Sequence, residues 1–595
     1  MSRSSVHSGI YLFLLALLAV GMTTSVFLAN MAWVFLGVNW LIEGDWREKW
    51  RRARESRLLH AFLVLMAVHL LWLVGNEYVA VGLDDIRQKL PLLVLPLVIL
   101  TSKPLSRKQL GGLAVIYLAT VTVMTLVGLV RFLTIADLPY RNIIPTISHI
   151  RFGLNICFSI CLVIYLVTTL REGMDPRRWR LLLVASGLWI AWCLYFLFLL
   201  QSYTSFLILL VLLLALPWLV PVRHPRLRWY LLGGLLLALV GIASAAVWVT
   251  NDYYGDCRRD GDKVENGSYI YHDVDSLSMA AGWCRVAEEP LDTKTDNGYS
   301  IYSTLVRYLN ATHRSKDSLG VVSLTPADVS TVKQGIANPI YLLHPSVRKM
   351  AYMALFEYES YRCGDIKDFS LLERFALWRN AWRVFSRYPL LGVGTGDVMA
   401  ACQVQLWQDG MYLIDNTKSA HNQYLIFLMA FGLVGVTLIV FFFVRAVAKT
   451  AALRTPLACA YLLILLLSFI GENTLGTLAG CLFAVFPWVL LAGISESDEP
   501  NKTNRSNRSN KSNKQSSITN NLYTFPCSTT TYFPTVCVSF SVRARRRSSM
   551  PGSISMWVLA TSSRQRRVWP TSSSTPSSRV RNTARHTISS IVSMG

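Results

Sequence analysis

The sequence predicts an all-α membrane protein, a polytopic bundle of about twelve transmembrane helices with one large loop domain and a disordered C-terminal tail. Its 595 residues are 53% hydrophobic and 16% charged, with a mean hydropathy of +0.38. This leaves too little polar surface for a soluble globule of this size. Apolar runs long enough for a helix to cross the hydrocarbon of a bilayer recur through most of the chain.

The apolar runs define twelve predicted membrane spans. The first run lacks a small-residue cleavage site and is followed at once by a second, which favours a membrane helix over a secretory signal. The predicted spans are residues 9–22, 25–42, 58–75, 88–101, 110–134, 152–170, 181–200, 203–220, 230–250, 422–444, 456–471 and 475–494.

The distribution of basic residues predicts the orientation of these spans. With the N-terminus in the cytoplasm, the inside segments hold 20 Lys and Arg, whereas the short outside loops hold 2, Arg87 and Arg141. Cytoplasmic loops of membrane proteins carry such an excess of positive charge. We therefore expect a cytoplasmic N-terminus and an exported segment between the ninth and tenth spans.

The spans divide the chain into four predicted regions. Residues 1–250 hold the first nine helices, 251–420 form the large exported loop domain, 421–495 hold the last three helices, and 496–595 form a low-complexity basic tail. In the second half of the loop domain, apolar residues at 375, 378, 382 and 385 predict an amphipathic helix with these residues on one stripe. Tyr388-Pro389 is expected to end it.

Four cysteines fall in the predicted exported domain, namely Cys257, Cys284, Cys363 and Cys402. In an oxidising compartment, they permit two disulfides, for which proximity favours Cys257 with Cys284 and Cys363 with Cys402, or they remain free thiols. No Cys-x-x-Cys or His-Cys spacing in the sequence indicates a metal site.

The tail accounts for most of the net charge of +23, because residues 501–595 hold 15 Lys and Arg and no Asp or Glu. Subtracting 15 from +23 leaves +8, which the cytoplasmic loops explain, so no nucleic-acid partner is expected. The Asn, Ser, Lys and Arg repeats cannot bury a core, which predicts disorder. Out-of-frame or read-through translation is an alternative origin for this segment.

Ionisable groups in or beside membrane helices are costly and are therefore candidates for function. The predicted topology places seven at the outer surface: Arg131, Arg141, His149, Arg151, Arg374, His421 and Glu472. Each also has a structural interpretation. The arginines of the spans can extend to lipid headgroups, His149 can be structural, and Glu472 can cap the last helix or pair with an arginine. Asn422 can serve only as a helix cap.

A glycine-rich run, residues 392–397, raises the question of a nucleotide-binding loop. It lacks the following Lys-Ser/Thr of such loops, and no nucleotide pool exists on the outer face. We therefore expect a turn that supports the preceding helix.

Four ordered motifs resemble the signature of the O-antigen ligase and polymerase superfamily. They are Arg374-Phe-Ala-Leu-Trp378, Tyr388-Pro-Leu-Leu-Gly-Val-Gly-Thr-Gly396, His421-Asn-Gln-Tyr-Leu425 and Phe431-Gly-Leu-Val-Gly435. With the many-helix frame, the resemblance covers residues 1 to about 495. It implies a metal-independent, cofactor-free glycosyltransferase of the GT-C type in a bacterial inner membrane. Such an enzyme moves a glycan from undecaprenyl diphosphate to a sugar hydroxyl of lipid A core or another glycan on the periplasmic side.

The resemblance also implies roles for individual residues. Arg374 matches the arginine proposed to hold the diphosphate, and His421 matches the histidine proposed as the base. Both assignments suit the side chains, because a guanidinium binds phosphate oxygens in pairs and an imidazole accepts a proton near neutral pH. The remaining expected substrate-binding residues are Arg131, Arg141, His149, Arg151, Tyr203, Trp378, Asn422 and Glu472.

The chain departs from the family at Gln201-Ser202-Tyr203-Thr204-Ser205, where relatives usually carry an arginine. Tyr203 cannot supply this positive charge. Either Arg151, the preferred replacement, or Arg131 compensates, or phosphate binding is arranged differently in this chain.

Several functions remain open at this point. The single large loop just ahead of His421 favours a ligase over an O-antigen polymerase, and a protein O-oligosaccharyltransferase is a third member of the same class. A transporter of lipid-linked sugars is an alternative from another class. It predicts ionisable groups near the membrane midplane and two matching halves, neither of which is clear in the sequence.

Overall fold

The fold was described from a computed structural model. The structure describes residues 3–135, 138–171, 174–219, 225–257, 262–342, 346–363, 372–411, 419–450 and 455–496. The predictions made for the tail, including its disorder, lie outside these residues.

In the described part of residues 3–257, eleven helices precede the large loop. They are α1 (Arg3–Thr24), α2 (Val26–Glu43), α3 (Trp46–Glu55), α4 (Arg57–Leu71), α5 (Val79–Lys89), α6 (Pro91–Thr101), α7 (Arg107–Thr134), α8 (His149–Leu170), α9 (Pro176–Leu199), α10 (Tyr203–Leu219) and α11 (Pro225–Tyr254).

The loop region begins with a short antiparallel pair of strands and continues as helices. Its elements are β1 (Val264–Glu265), β2 (Ser268–Tyr269), α12 (Ser276–Ala287), α13 (Ile301–Ala311), α14 (Ser318–Val322), α15 (Pro326–Lys333), α16 (Val347–Arg362), α17 (Leu372–Arg387) and α18 (Val398–Gln408). Three helices follow, α19 (Gln423–Lys449), α20 (Pro456–Gly471) and α21 (Leu478–Glu496). Short 3-10 turns lie at Tyr140–Asn142, Pro339–Leu342 and Thr474–Gly476.

Each predicted membrane span coincides with a helix. Among the described residues, seven helices are long and apolar enough to cross a membrane, and four further apolar helices are shorter. The fourth predicted span is the 11-residue α6, which follows α5 directly and begins with Pro91. The predicted all-α polytopic fold is therefore confirmed.

One hydrophobic core joins membrane helices from α1 to α10 and from α19 to α21, and it contains large buried side chains such as Phe152, Phe196 and Tyr461. The buried residues of α11 pack separately, with β1 and α16. The loop region has a separate core around the fully buried Trp283, where α12, α13, α14 and α15 meet. Beside it, the buried Glu265 accepts hydrogen bonds from Arg307 (Nε to Oε2, 3.0 Å) and Asn338 (2.9 Å). Burying a carboxylate is costly unless it is paired and hydrogen-bonded.

None of the four cysteines of the loop region forms a disulfide in the structure, where Cys284 and Cys363 are exposed and Cys402 is buried. This is the second of the two alternatives left open by the sequence.

Helix α17 forms where it was predicted and ends before Tyr388-Pro389, and its predicted apolar stripe is only partly buried, with Phe385 inside. Phe375 and Trp382 are 49% and 54% exposed, whereas Ala376, Ala381 and Val384 are buried. The small side chains allow the helix to pack closely against α18 and α19. Aromatic side chains on the other face are typical of helices at a membrane–water interface.

Helix α19 is broken at Gly432, which has a φ of +58°. The glycine-rich run fits into this break: the amides of Val393 and Gly394 donate to the carbonyls of Met429 (2.8 Å) and Ala430 (2.9 Å). In return, the amide of Leu433 donates to Pro389 O at 2.8 Å. A break inside an apolar bundle would otherwise leave backbone groups unpaired at high cost. We call residues 388–397 the wedge turn.

The wedge turn is also bonded to the segment after α4. Asp397 accepts hydrogen bonds from the amides of Glu77 (3.1 Å) and Tyr78 (2.9 Å), and the Thr395 hydroxyl donates to His69 O (2.8 Å). The glycine-rich run thus acts as a structural turn, as expected, and holds α4, α17 and α19 together.

Candidate functional site

The carboxylate of Glu472 lies at the centre of the site. Glu472 directly follows α20 and is 7% exposed. Arg374 of α17 donates from Nη2 to Glu472 Oε1 (2.9 Å) and from Nη1 to Gly471 O (2.8 Å). On the other side, the Nδ1 atom of His421 lies 3.8 Å from Glu472 Oε2. One carboxylate thus lies between the predicted cation and the predicted base.

Arg151 brings a second cation to this point. It lies in the first turn of α8, is 8% exposed and donates from Nη2 to Asn473 O at 3.2 Å. Its buried Nη1 atom has no hydrogen-bond partner in the described part of the chain. Two guanidinium groups therefore face one carboxylate, and the local charge is positive even when His421 is neutral. Such a site attracts anions.

The charge state of Glu472 follows from its neighbours. Burial raises the pKa of this carboxyl, but the adjacent His421 ring and the positive charges of Arg374 and Arg151 outweigh burial and lower the pKa below its usual range. Glu472 is therefore ionised at neutral pH.

His421 is held by the start of α19. Its φ of +46° lies in the left-handed region, and the side chain of the next residue, Asn422, accepts from the amide of Leu425 at 3.1 Å. This is the helix cap expected for an asparagine at that position. The following residue, Gln423, is 1% exposed and accepts from the amide of Leu475 at 2.8 Å. Gln423 therefore ties α19 to the turn that carries Glu472.

His149, Arg141 and Arg131 come from α7, α8 and the segment that joins them. The ring of His149 packs edge-on against Tyr140 (5.5 Å between centroids), and His149 is close enough to interact electrostatically with Glu472 and Arg374. Arg141 Nε donates to the Tyr140 hydroxyl at 3.1 Å. Arg131 Nη2 donates to Asn142 O at 3.4 Å. These residues form a basic border on one side of the site.

Tyr203 and Trp378 have more peripheral positions. Tyr203 begins α10 and its hydroxyl donates to Met350 O of α16 at 3.2 Å, which joins the membrane bundle to the loop region. Its neighbour Thr204 lies beside Gly471 and the guanidinium of Arg374. Trp378 packs against Phe375 with centroids 5.3 Å apart, and its buried Nε1 has no partner among the described residues.

The structure thus brings Arg374, Arg151, His421 and Glu472 together and leaves Arg131, Arg141, Tyr203 and Trp378 at the edge. Sequence reasoning missed Gln423, whose only signal was its place between Asn422 and Tyr424 in a quoted motif. It also missed Thr204, which lies next to the position where the family arginine is absent.

Comparison with known families supports one assignment. Residues 187–440 match the family model described as O-antigen ligase. This range contains Tyr203, Arg374 and His421, while Arg151 and Glu472 lie outside it. Among curated proteins, no match to this chain is found. The family match confirms the resemblance to the O-antigen ligase and polymerase superfamily, and supports a glycosyltransferase activity of this type in a multi-pass membrane protein.

Proposed function

We propose that this chain is an O-antigen ligase-type enzyme that transfers a glycan from undecaprenyl diphosphate to a sugar hydroxyl of lipid A core, on the periplasmic face of the bacterial inner membrane. The observation that carries the proposal is the meeting of Arg374, Arg151 and His421 around Glu472. These residues come from α17, α8, the start of α19 and the end of α20. A convergence of a base and two fixed cations from distant positions is typical of a reaction centre.

The arginines provide the site for the leaving diphosphate. Arg151 has a buried guanidinium nitrogen without a partner in the described residues, and Arg374 is fixed from two sides by Glu472 and Gly471 O. Guanidinium groups stay charged and form strong bonds to phosphate oxygens. Because they are already in position, they stabilise the charge that develops as the leaving group departs. Fixed cations can do this without a metal ion.

His421 provides the base. In the proposed step, the acceptor oxygen forms a bond to the anomeric carbon of the donor while the bond from that carbon to the diphosphate oxygen breaks and its electron pair leaves with the diphosphate. The hydroxyl proton goes to the imidazole of His421. A neighbouring carboxylate that stays ionised stabilises the imidazolium so formed, which is the role proposed for Glu472.

Placement in the membrane is proposed from the basic-residue bias. The 20 to 2 distribution of Lys and Arg puts the N-terminus in the cytoplasm, and then the four central residues face the periplasm. In the same arrangement residues 1–250 and 421–495 form the membrane part, and 251–420 form a domain above the site.

The surface lipopolysaccharide of a deletion strain tests this proposal. The strain is complemented with wild type, His421→Ala or Arg379→Ala, where Arg379 is an exposed arginine on the same helix as Arg374. We expect His421→Ala to abolish capped core while polymer accumulates on the lipid carrier, and Arg379→Ala to restore wild-type capping at equal expression.

Other glycan profiles would contradict parts of the proposal. Core that carries a single repeat unit in the deletion strain would identify a polymerase. Full capping by His421→Ala would exclude His421 as the base. A normal profile in the deletion strain itself would exclude the ligase function.

A further inference from the structure

A cavity of about 220 Å³ lies beside the reaction centre, between α4, α5, the wedge turn and the outer part of α19. Its wall carries both polar and apolar groups, including His69, Asp85, Lys89, Thr395 and Phe431. None of these five residues has a part in the transfer chemistry proposed above.

The cavity adjoins the base side of the centre. Ser419 and Ala420, which directly precede His421, line it, as does Asn473, which directly follows Glu472. Among the described lining residues, there is no arginine, so the groups proposed for the diphosphate do not form its wall. A group bound here would lie beside the segments that carry His421 and Glu472. Arg151 contacts the cavity wall only through its hydrogen bond to the main-chain oxygen of Asn473.

The cavity is bounded by irregular backbone within the membrane bundle. Phe431 directly precedes the break of α19 at Gly432, and Thr395 and Gly396 belong to the wedge turn that fills the break. Non-helical backbone within a membrane bundle is tolerated where it is buried in protein or lines a cavity. Broken helices of this kind form substrate sites in many membrane proteins.

The lining offers the contacts that a sugar ring uses. Lys89 is 4% exposed and forms an ion pair with Asp85, which places a donor and an acceptor side by side. The Nδ1 atom of His69 donates to Leu65 O (2.8 Å), so Nε2 of the neutral ring is an acceptor. The rings of Phe427 and Phe431 pack edge-on against His69, and they add apolar surface for the carbon face of a sugar.

We propose that this cavity is the subsite for the acceptor sugar, the single ring whose hydroxyl attacks the donor. This inference rests on the proposed function and adds the residues that position the acceptor. The volume is smaller than the roughly 300–1,000 Å³ of common ligand pockets, which suits one ring and excludes a whole glycan. Asp85, Lys89 and His69 are positioning residues here, because they bind the acceptor without touching the reacting bond.

The experiment uses the full-length protein in lipid nanodiscs, with a lipid A core glycolipid as the acceptor probe and an undecaprenyl diphosphate-linked glycan as the donor. Ala430, which lines the cavity and is 4% exposed, is changed to Leu to fill the space. Lys89→Gln removes the charge and is the second variant if Ala430→Leu does not fold, as judged by gel filtration and thermal unfolding.

Each variant has a matched control elsewhere in the bundle. Ala446→Leu adds the same volume at a site on α19 that is 1% exposed. Lys49→Gln breaks a comparable pair, because Lys49 is 4% exposed and bonded to Glu43 at 2.9 Å. Both controls lie away from the described cavity lining.

We expect the cavity variants to raise KM for the acceptor by about tenfold or more and to leave KM for the donor within about twofold. A site that binds the hydroxyl groups of one substrate loses affinity for that substrate when its hydrogen-bonding side chains are removed or blocked. The controls should change neither value. Native mass spectrometry should show weaker binding of the acceptor glycolipid to the cavity variants, without turnover.

The outcomes separate this inference from the proposed function. A wild type that transfers glycan, with cavity variants that match their controls, overturns the inference alone. A rise in KM for the donor instead, with inhibition by bare undecaprenyl diphosphate unchanged, assigns the cavity to the donor sugar and also overturns it. A wild type that binds the glycolipid through this cavity but transfers nothing supports the subsite and overturns the ligase function.

Discussion

At the scale of single residues, the site depends on the two carboxylate oxygens of Glu472, which contact different side chains. Oε1 accepts from Arg374 and Oε2 faces His421, so one carboxylate contacts both the proposed cation and the proposed base. The charge that remains on the cationic side is that of Arg151. Because one negative charge offsets only one of the two positive charges, the buried charges are partly balanced and the site keeps a net positive charge that attracts anions.

Replacing Arg374 by Lys tests the geometry of the cation at constant charge. An ammonium cannot bind both Gly471 O and Glu472 as the guanidinium fork does. Loss of one hydrogen bond to a charged group costs about 1.5–3 kcal/mol, which corresponds to a rate about 10–100-fold lower. Initial transfer rates of the purified protein measure this loss.

Arg379→Lys is the matched control, since Arg379 is exposed on the same helix, and it should keep the wild-type rate. If Arg374→Lys were as active as Arg379→Lys, the fork geometry would have no role in the reaction.

The central residues could be named from the sequence because they stand in polar motifs next to apolar runs, where an ionisable group needs a function or a partner. Their contacts could not be predicted. The pairing of Arg374 with Glu472 joins positions 98 apart along the chain, and the use of Asn473 O by Arg151 joins positions 322 apart. No local pattern encodes such pairs, and the cavity residues His69 and Lys89 carried no motif at all.

At the scale of elements, the break in α19 is the feature on which the site most depends. Gly432 needs a positive φ, and a Cβ there would lie 2.3 Å from Leu390 O and 2.6 Å from Gly392 N. Both contacts are to backbone atoms of the wedge turn, which cannot rotate away. A side chain at this position must therefore expel the turn or straighten the helix.

We expect Gly432→Ala to destabilise the protein by about 3 kcal/mol or more. The strain of a positive φ at alanine and the clash of its Cβ with the backbone of the wedge turn both raise the free energy of the folded state. Transfer activity should fall with it, since the turn lies between the helices that carry Arg374 and His421. Thermal unfolding in detergent measures the first effect and initial rates the second.

Gly112→Ala in α7 is the control, since a Cβ there meets nothing within 4 Å and alanine favours a helix. Equal melting temperatures for the two variants would show that the break is not needed for stability.

The sequence predicted the elements of the membrane part well and those of the loop region poorly. Runs of apolar residues about 20 long specify membrane helices almost by length alone, and all twelve expected spans coincide with helices. For α17 the sequence predicted a stripe of apolar residues, but it did not predict that the small Ala376 and Ala381 are buried while Phe375 and Trp382 are exposed. The short helices α12 to α16 pack on a core that forms only between distant segments.

At the scale of the whole molecule, the loop region is folded around its own core, and an ionised carboxylate, that of Asp328, contributes to its stability. Burial raises the pKa of Asp328, but the bonds that this carboxyl accepts from Tyr308, Thr325 and Arg314 outweigh burial and lower the pKa to about 2. A group with a lowered folded pKa stabilises the fold above its unfolded pKa of about 3.9. This stabilisation is lost as the pH falls from about 4 towards 2.

We therefore expect amide hydrogen exchange in α13 and α15 of the full-length protein to accelerate as the pH falls through this window, once the intrinsic pH dependence of exchange is removed. Asp328→Asn should weaken protection by about 1–2 kcal/mol at neutral pH, after allowance for solvent screening, and should flatten the acid dependence. The exposed Asp292, changed to Asn, should behave as wild type. Acid sensitivity that persists in Asp328→Asn would place its origin in another carboxyl.

Hydrogen bonds of the wedge turn, many of them between main-chain atoms, set the spacing between Arg374 and His421. Its amides are bonded to α19, its threonine and aspartate to the segment around α4, and it continues directly from α17. The stretch from α12 to α15 lies outside this joint and packs on a core of its own. Substitutions in that stretch are therefore expected to leave the hydrogen bonds of the wedge turn, and with them the spacing of Arg374 from His421, unchanged.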